Sequence, residues 1–557
     1  MELPHPLTGL CLGLLFVLAP PAFPGQAENA APQVRAIVEQ ARHPLLKRPD
    51  FRPHDGEMRR FYEPLGYQPA WFQDGRPRRE VPGILAVLGA AGDEGLDPTD
   101  YGAIWLNGRW GAAARGKALD PAALAEFDTA LSLGLFRYLS DVRFGRIKPL
   151  DVGFELDVER EKPDLALLLR DALQRGTLPE LLARAEPKYP LYRRLKETLK
   201  RYRALTVQPL PVPQPPPTMR KVEPGQSYAG AEELRRLLTA YGDLAPGAAM
   251  GTAGIYDATL AEAVRGFQDR HGLAPDGVLG KATFAALNVP PAQRVRQIEL
   301  ALERMRWLPD LPQGPVIAIN IPEFKLRAFD EEAGRLRLQF RSDIVVGKAL
   351  NTRTPVFADQ LEYVVFSPFW NVPPSIARNE IIPEIRKDPD YLVKHNMELV
   401  RSATAGPVEV ALGDDTLEAI RRGELRVRQR PGEKNALGSV KFVFPNNMNI
   451  YLHDTPARSL FKRARRDFSH GCIRVSDPMG LARFVLRGIP EWSDEAIEAA
   501  MRTGKEQYVR LKRGIPVVIF YTTVIVEEGG LVRFLPDIYG LDQELDLALK
   551  ARDGSAL

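Results

Sequence analysis

The stretch DFSHGCIRVSDP, residues 467–478, holds Cys472, one of only two cysteines in 557 residues. A thiol nucleophile needs a base to take its proton and a group to hold that base. Two histidines are near in sequence. His470 is two residues away and shares a face with Cys472 if the segment is extended. His453 lies upstream in NIYLHDTP, where Ile450 and Leu452 alternate and Asp454 and Pro456 then turn the chain. A histidine at a strand end can return beside a cysteine on the next strand, which gives a base and a nucleophile; two structural histidines is the plainer alternative. Asp454 follows His453 directly, so its side chain points to the opposite face and it is not read as a third member. Gly471 lets backbone N–H groups around Gly471 and Cys472 approach a reacting carbonyl and hold its oxyanion. Lys462, Arg463, Arg465, Arg466 and Arg474 surround the thiol in sequence and would favour thiolate. A solvated basic helix is the bland alternative for Lys462 to Arg466. Arg474, two residues past the thiol, suits a substrate carboxylate.

These residues need a β framework, and from Pro315 the period changes to two. Ile317, Ile319 and Ile321 alternate, as do Leu336, Leu338 and Phe340, then Leu361, Tyr363 and Val365. Val440, Phe442 and Phe444 and then Val517, Ile519 and Tyr521 repeat the pattern, and EEGG at 527–530 predicts a hairpin before Val532 and Phe534. The expectation is a mostly antiparallel β domain over 315–535, interrupted by a charged, partly helical insertion at about 375–435 and followed by a tail, 536–557. Residues 290–314 read as a connecting helix.

Upstream, 227–289 forms a three-helix module. Leu234, Leu237, Leu238 and Tyr241 share one helix face; Leu260, Val264, Phe267 and His271 share a second; Thr283, Phe284 and Leu287 begin a third. His271 at that spacing is a core or capping residue rather than a metal ligand. Six prolines between 209 and 217 favour polyproline II and predict a stiff spacer over 206–226. Residues 33–205 are mostly helical by pattern, with apolar spacing over Ala122–Leu139 and Leu165–Leu182, and read as a scaffold. Residues 7–23 form an apolar run too short for a comfortable membrane span, so 1–27 is expected to be an export signal or a signal anchor. Its lack of Lys or Arg before the run leaves inner-membrane anchoring as the alternative. Without 1–27, Cys472 is the lone cysteine, and in a compartment where disulfides form such a thiol is either buried or chemically used. Net charge is +4, with 45% hydrophobic and 26% charged residues. That balance argues against a nucleic-acid partner and suits work beside a polyanionic surface. The seven histidines show no zinc-ligand spacing, so no metal and no cofactor are expected.

YLHDTP followed by DFSHGCIRVSDP resembles the signature of the L,D-transpeptidase family. FSPFWNVPPSIARNEIIPEI (366–385) and RPGEKNALGSVKFVFPNN (430–447) are similar to its large periplasmic members. FQ…HGL…DG.LG..T…L resembles the three-helix peptidoglycan-binding domain of wall enzymes. The resemblance implies a multidomain α+β protein: a helical scaffold, a peptidoglycan-binding domain, and a β catalytic domain with a capping insertion. It implies Cys472 as nucleophile, His453 as general base, and Gly471 with neighbouring N–H groups at the oxyanion. Arg474, Trp370, Asn371 and Tyr451 would serve substrate binding, with Ser469 and His470 beside them. The implied reaction releases the terminal D-alanine of a tetrapeptide stem through a thioester and passes the acyl group to a second stem's amine, forming a 3→3 cross-link. Peptidoglycan stems are the implied partners, with penicillin-binding proteins or other wall synthases as further ones, the periplasm is the implied location, and carbapenems would acylate the thiol.

Three alternatives accompany this reading. An L,D-carboxypeptidase, a cross-link hydrolase or a lipoprotein-to-wall ligase would use the same thioester. A non-catalytic wall-binding scaffold would be expected to have lost one of His453, Gly471, Cys472 or Arg474. A papain-like hydrolase would place its cysteine before its histidine, on a helix.

Overall fold

Cap chemistry sets the N-terminal frame. Asp120 accepts from the Ala123 N–H at 2.8 Å, and Pro121 opens the helix Pro121–Phe144 where a missing N–H costs nothing. That helix is buried around most of its circumference. Its Asp128 accepts from the Tyr62 hydroxyl at 2.6 Å and from the Ala70 and Trp71 N–H groups at 3.0 and 2.7 Å. Burial still pushes the Asp128 carboxyl up to about 6. The spacing over Leu165–Leu182 resolves into two helices. Leu165–Arg175 ends at Gly176, which has φ +68°, and Leu178–Ala185 starts afresh with Pro179 in its first turn.

The computed structural model describes residues 30–554 except 74–75, 114–118, 157–162, 218–219, 249–250, 311–312 and 350–351. The expected export segment lies outside the described residues. No described helix is long and apolar enough to cross a membrane.

The proline-rich stretch is not a free spacer. Leu210 packs against both the three-helix module and the large core. The Pro213 carbonyl accepts from Asn288 Nδ2 at 3.2 Å, and the Gln214 carbonyl from the Tyr228 hydroxyl at 2.9 Å. The module's helices are Ala231–Tyr241, Ala258–Arg270 and Lys281–Leu287. His271 is a core residue: its ring stacks on Phe267 at 3.8 Å and its Nδ1 donates to the Phe267 carbonyl at 2.7 Å. Phe534 and Arg533 of the hairpin Val524–Phe534 meet this module, Arg533 pairing with Asp269 at 2.9 Å.

The region from 316 to 520 holds a mixed sheet of nine strands: β1 Val316–Asn320, β2 Lys325–Glu332, β3 Arg335–Gly347, β4 Phe357–Phe366, β5 Val440–Val443, β6 Leu452–His453, β7 Asp467–Ser469, β8 Ile473–Val475 and β9 Gln507–Phe520. Their order is β7-β3-β8-β6-β5-β4-β9-β1-β2, and β2 also pairs with β3, so the sheet closes on itself. Closure leaves only the short β7, paired with β3 alone, as an edge that could invite pairing. The pairs β7–β3, β8–β6 and β9–β1 are parallel; the rest are antiparallel. Ile317, Ile319, Phe442 and Ile519 are fully buried inside. The β2–β3 hairpin departs from expectation: Leu338 is 47% exposed, because the tip stands off the core.

Two boundaries also differ. The insertion begins earlier than 375, at strand Trp370–Asn371, which pairs with Arg426–Gln429, itself paired with Met397–Val400. It has its own core, including Ile381, Ile382, Leu399, Leu417 and Val427. The C-terminal segment is no loose tail: Leu541–Gly554 is a helix whose Leu541, Leu545 and Leu549 enter the large core.

Candidate active site

Strands β6 and β8 run parallel side by side, with Leu452 opposite Ile473 and His453 opposite Arg474. The Ile473 N–H donates to the Tyr451 carbonyl at 3.1 Å. Leu452, Ile473 and Val475 are fully buried inside the barrel. Alternation therefore puts Tyr451, His453 and Arg474 on the other face, with Cys472 at the entrance to β8. Lys441 of β5 is opposite His453 in register and joins that face.

His453 Nδ1 donates to the Asp454 carbonyl at 2.5 Å. A carbonyl can only accept, so Nδ1 carries the proton and Nε2 is the basic nitrogen. Burial, then the Arg474 cation, lowers the His453 pKa to about 3, with Lys441 adding to the effect. The Asp454 carboxylate turns away from the imidazole. It accepts from Ser439 N and Oγ at 2.9 and 2.8 Å and from Thr455 N at 2.6 Å, and it pairs with Arg458. The side chain thus braces the turn, and the same residue's carbonyl orients the ring.

The Cys472 thiol is partly exposed and donates to the Asn449 carbonyl at 3.4 Å. Burial pushes its pKa up; contacts with Tyr451 and the charges of Lys441 and Arg474 oppose that. Tyr451 sits edge-on to His453 at 5.7 Å, and Lys441 Nζ lies 5.2 Å over its ring.

Gly471 has φ +115°, and a Cβ there would meet Ile450 Cδ1 at 3.1 Å. Its carbonyl accepts from Thr354 Oγ1 at 2.7 Å. Contrary to expectation, its N–H does not face an oxyanion; it donates to Ser469 Oγ at 3.1 Å. Among the described residues no hydrogen bond to the Cys472 N–H is found, which leaves that group for a carbonyl oxygen. Ser469 is likewise a brace rather than a substrate contact. It is 2% exposed, and its hydroxyl donates to the Cys472 carbonyl at 2.6 Å.

His470 does not reach toward the thiol as a base. It is exposed, and its Nε2 donates to Glu380 Oε1 of the insertion at 2.6 Å. The basic run resolves into local pairs: Arg465 with Asp467 at 2.7 Å, and Arg466 with Asp343 at 3.1 Å. The cations that act on the thiol are Arg474 and Lys441. Lys441 was missed in the sequence, although its outward place between Val440 and Phe442 was visible there.

A cleft of about 610 Å³ separates the insertion from the barrel. Trp370, Ile376, Tyr391 and His395 line one side; Pro456 and Arg474 line the other. Arg474 makes no ion pair among the described residues, and its buried Nε has no hydrogen-bond partner. Asn371 is exposed and does not line the cleft, because its strand turns it outward while Trp370 turns in. Among the described residues no three His, Cys, Asp or Glu side chains are grouped to hold a metal ion.

A family model for the L,D-transpeptidase catalytic domain matches residues 314–519. This chain carries an L,D-transpeptidase catalytic domain. A "Scaffold domain" model matches 56–199, and a "Putative peptidoglycan binding domain" model matches 227–287. A "Putative L,D-transpeptidase" of Haemophilus influenzae is 34% identical over 253 residues, covering 45% of this chain and 49% of the relative. The chain thus aligns with about half the length of that L,D-transpeptidase relative. Among solved structures, a fused Zn-dependent amidase/peptidase/peptidoglycan-binding protein from Clostridium acetobutylicum is 14% identical, covering 54% of this chain and 99% of that one, with a TM-score of 0.16. The structure of Bdellovibrio bacteriovorus Bd1075 is 13% identical, covering 43% and 56%, with a TM-score of 0.15. At those scores neither bears on the fold.

Proposed function

We propose that this chain is a cysteine L,D-transpeptidase acting on peptidoglycan stems in the periplasm. Cys472 Sγ attacks the carbonyl preceding the terminal D-alanine of a tetrapeptide stem. His453 Nε2 takes the thiol proton as the bond forms. The Cys472 N–H donates to the oxyanion, where a charge-assisted hydrogen bond strengthens as charge develops. Collapse of the tetrahedral intermediate expels D-alanine, whose nitrogen takes the proton back from His453. The thioester is then attacked by the amine of a second stem, giving a 3→3 cross-link and the free thiol. Arg474 holds a substrate carboxylate in the cleft. The same thiol would be acylated by carbapenems.

The observation that carries this reading is the pairing of β6 with β8. It brings His453, at the end of β6, beside the start of β8, which Cys472 immediately precedes, and the Nδ1 bond to the Asp454 carbonyl leaves Nε2 free, which supports His453 as the base. The test is to incubate purified wild-type protein and Cys472→Ala with a disaccharide tetrapeptide and to score D-alanine, tripeptide and dimer by mass spectrometry. Dimer that vanishes with Cys472→Ala is expected. Tripeptide without dimer would mean that water is the acceptor, and no turnover by wild type would overturn the reading.

A further inference from the structure

A second cleft, of about 820 Å³, opens where the scaffold helix Pro190–Thr206 faces the β2–β3 hairpin. It shares no residue with the cleft at Arg474. The helix contributes Arg193, Arg194 and Arg201, with Lys188 just before its start. Arg193 and Arg201 are eight residues apart, two helical turns, so they lie on one face. The hairpin contributes Arg335 and Arg337, which alternate onto one face of β3. Two carboxylates, Glu197 and Glu528, line the cleft with these six cations, and Asp330 and Glu332 stand across the hairpin from Arg337 and Arg335.

The cations are not used up internally. Arg193, Arg201, Arg335, Arg337 and Lys188 form no ion pair among the described residues. Arg194 is held in place by a bond from Nε to the Val526 carbonyl at 2.7 Å. Burial works against its charge, and Glu528 offsets that while the neighbouring Arg193 adds to it. Like charges gathered around a recess repel one another unless something anionic fills it. The volume falls in the range of ordinary ligand sites, and guanidinium forks match carboxylates in pairs.

We propose that this cleft is a secondary binding site for the carboxylates of peptidoglycan stem peptides, gripping a strand at a distance from the thiol. The proposal rests on the substrate reading above. A recessed cleft with only Pro190, Leu336 and Val526 as sizeable apolar lining suits a peptide chain better than a flat bilayer, which needs a protruding apolar face.

The test compares wild type with the charge reversal Arg335→Glu/Arg337→Glu and the conservative Arg335→Lys/Arg337→Lys. Both positions are exposed, so folding should survive, and thermal melts check this. The probes are soluble uncross-linked glycan strands bearing tetrapeptide stems, the same strands stripped of stems, and phosphatidylglycerol vesicles. For intact strands the reversal should raise KM about tenfold, or ~1.4 kcal/mol. Turnover of the isolated disaccharide tetrapeptide should stay unchanged, and the lysine variant should behave nearly as wild type. Added salt should narrow the gap. Equal KM for strands, or stripped strands bound as well as intact ones, would overturn the proposal. So would loss of vesicle binding with strand turnover untouched, which would assign the cleft to lipid. If the disaccharide tetrapeptide is not turned over by wild type, it is the transpeptidase reading that fails, and binding of strands by Cys472→Ala then judges the cleft alone.

Discussion

The protonation state of the resting site sets how the thiol reacts. Burial raises the Cys472 pKa above its ordinary 9.0, and burial with the Arg474 charge lowers His453 to about 3. At about pH 7, then, the thiol is protonated and the imidazole is neutral. The shift of His453 from 6.5 to about 3 weakens it as a proton acceptor by on the order of 5 kcal/mol at ~1.36 per unit, and the raised thiol pKa adds to the cost of moving the proton before attack. The enzyme should therefore act by general-base catalysis during attack, not from a standing thiolate–imidazolium pair. The assay is the rate of iodoacetamide alkylation of Cys472, read by mass spectrometry of its peptide, from about pH 5 to pH 9. The rate should climb about tenfold per pH unit with no shoulder near neutrality. Lys441→Met should move the curve to higher pH, because Lys441 pulls the thiol down against burial. A pH-independent plateau across about pH 5–8, the mark of a preformed ion pair, would refute the reasoning.

Ser469→Ala removes the partner of the Gly471 N–H and the donor to the Cys472 carbonyl. It should cost about 1–3 kcal/mol in urea unfolding and lower kcat more than KM, because the loop that carries the thiol loses its brace. His453 is neutral when folded but protonates below its ordinary 6.5 when unfolded. Its contribution is therefore present above about pH 6.5 and lost as pH falls toward 3. Wild type should lose ~2–3 kcal/mol more than His453→Gln between about pH 6.5 and 4.5, measured by urea unfolding of both. Glu380→Ala removes the His470 contact that ties the insertion to the thiol loop. Faster amide exchange over 374–387, with unchanged Cys472 alkylation, would separate that role from the chemistry; unchanged exchange would show the contact to be incidental.

The sequence by itself determined the elements and the proposed thiol–imidazole pair. Period-two alternation marked β1, β5 and β9, because each buries one face. The helical spacing of the three-helix module reflects a stripe that must meet a partner. The chemical types at 453 and 470–474 were visible, since a thiol beside histidine and arginine is a chemical statement wherever the chain goes. Tertiary structure decided what each neighbour does. Ser469, Gly471 and His470 lie beside Cys472 in sequence, yet Ser469 and the Gly471 N–H brace the loop and His470 reaches Glu380, ninety residues away. Lys441 comes to the thiol's face only through the β5–β6 register, which no local spacing encodes. The 536–557 segment read as a tail because three leucines in a short amphipathic helix do not reveal a distant core; they are buried because that core leaves space for them. The alternation of side chains along a strand follows from adjacent residues, whereas hydrogen-bond partners, charge, burial and cleft lining depend on which strands the closed sheet makes neighbours.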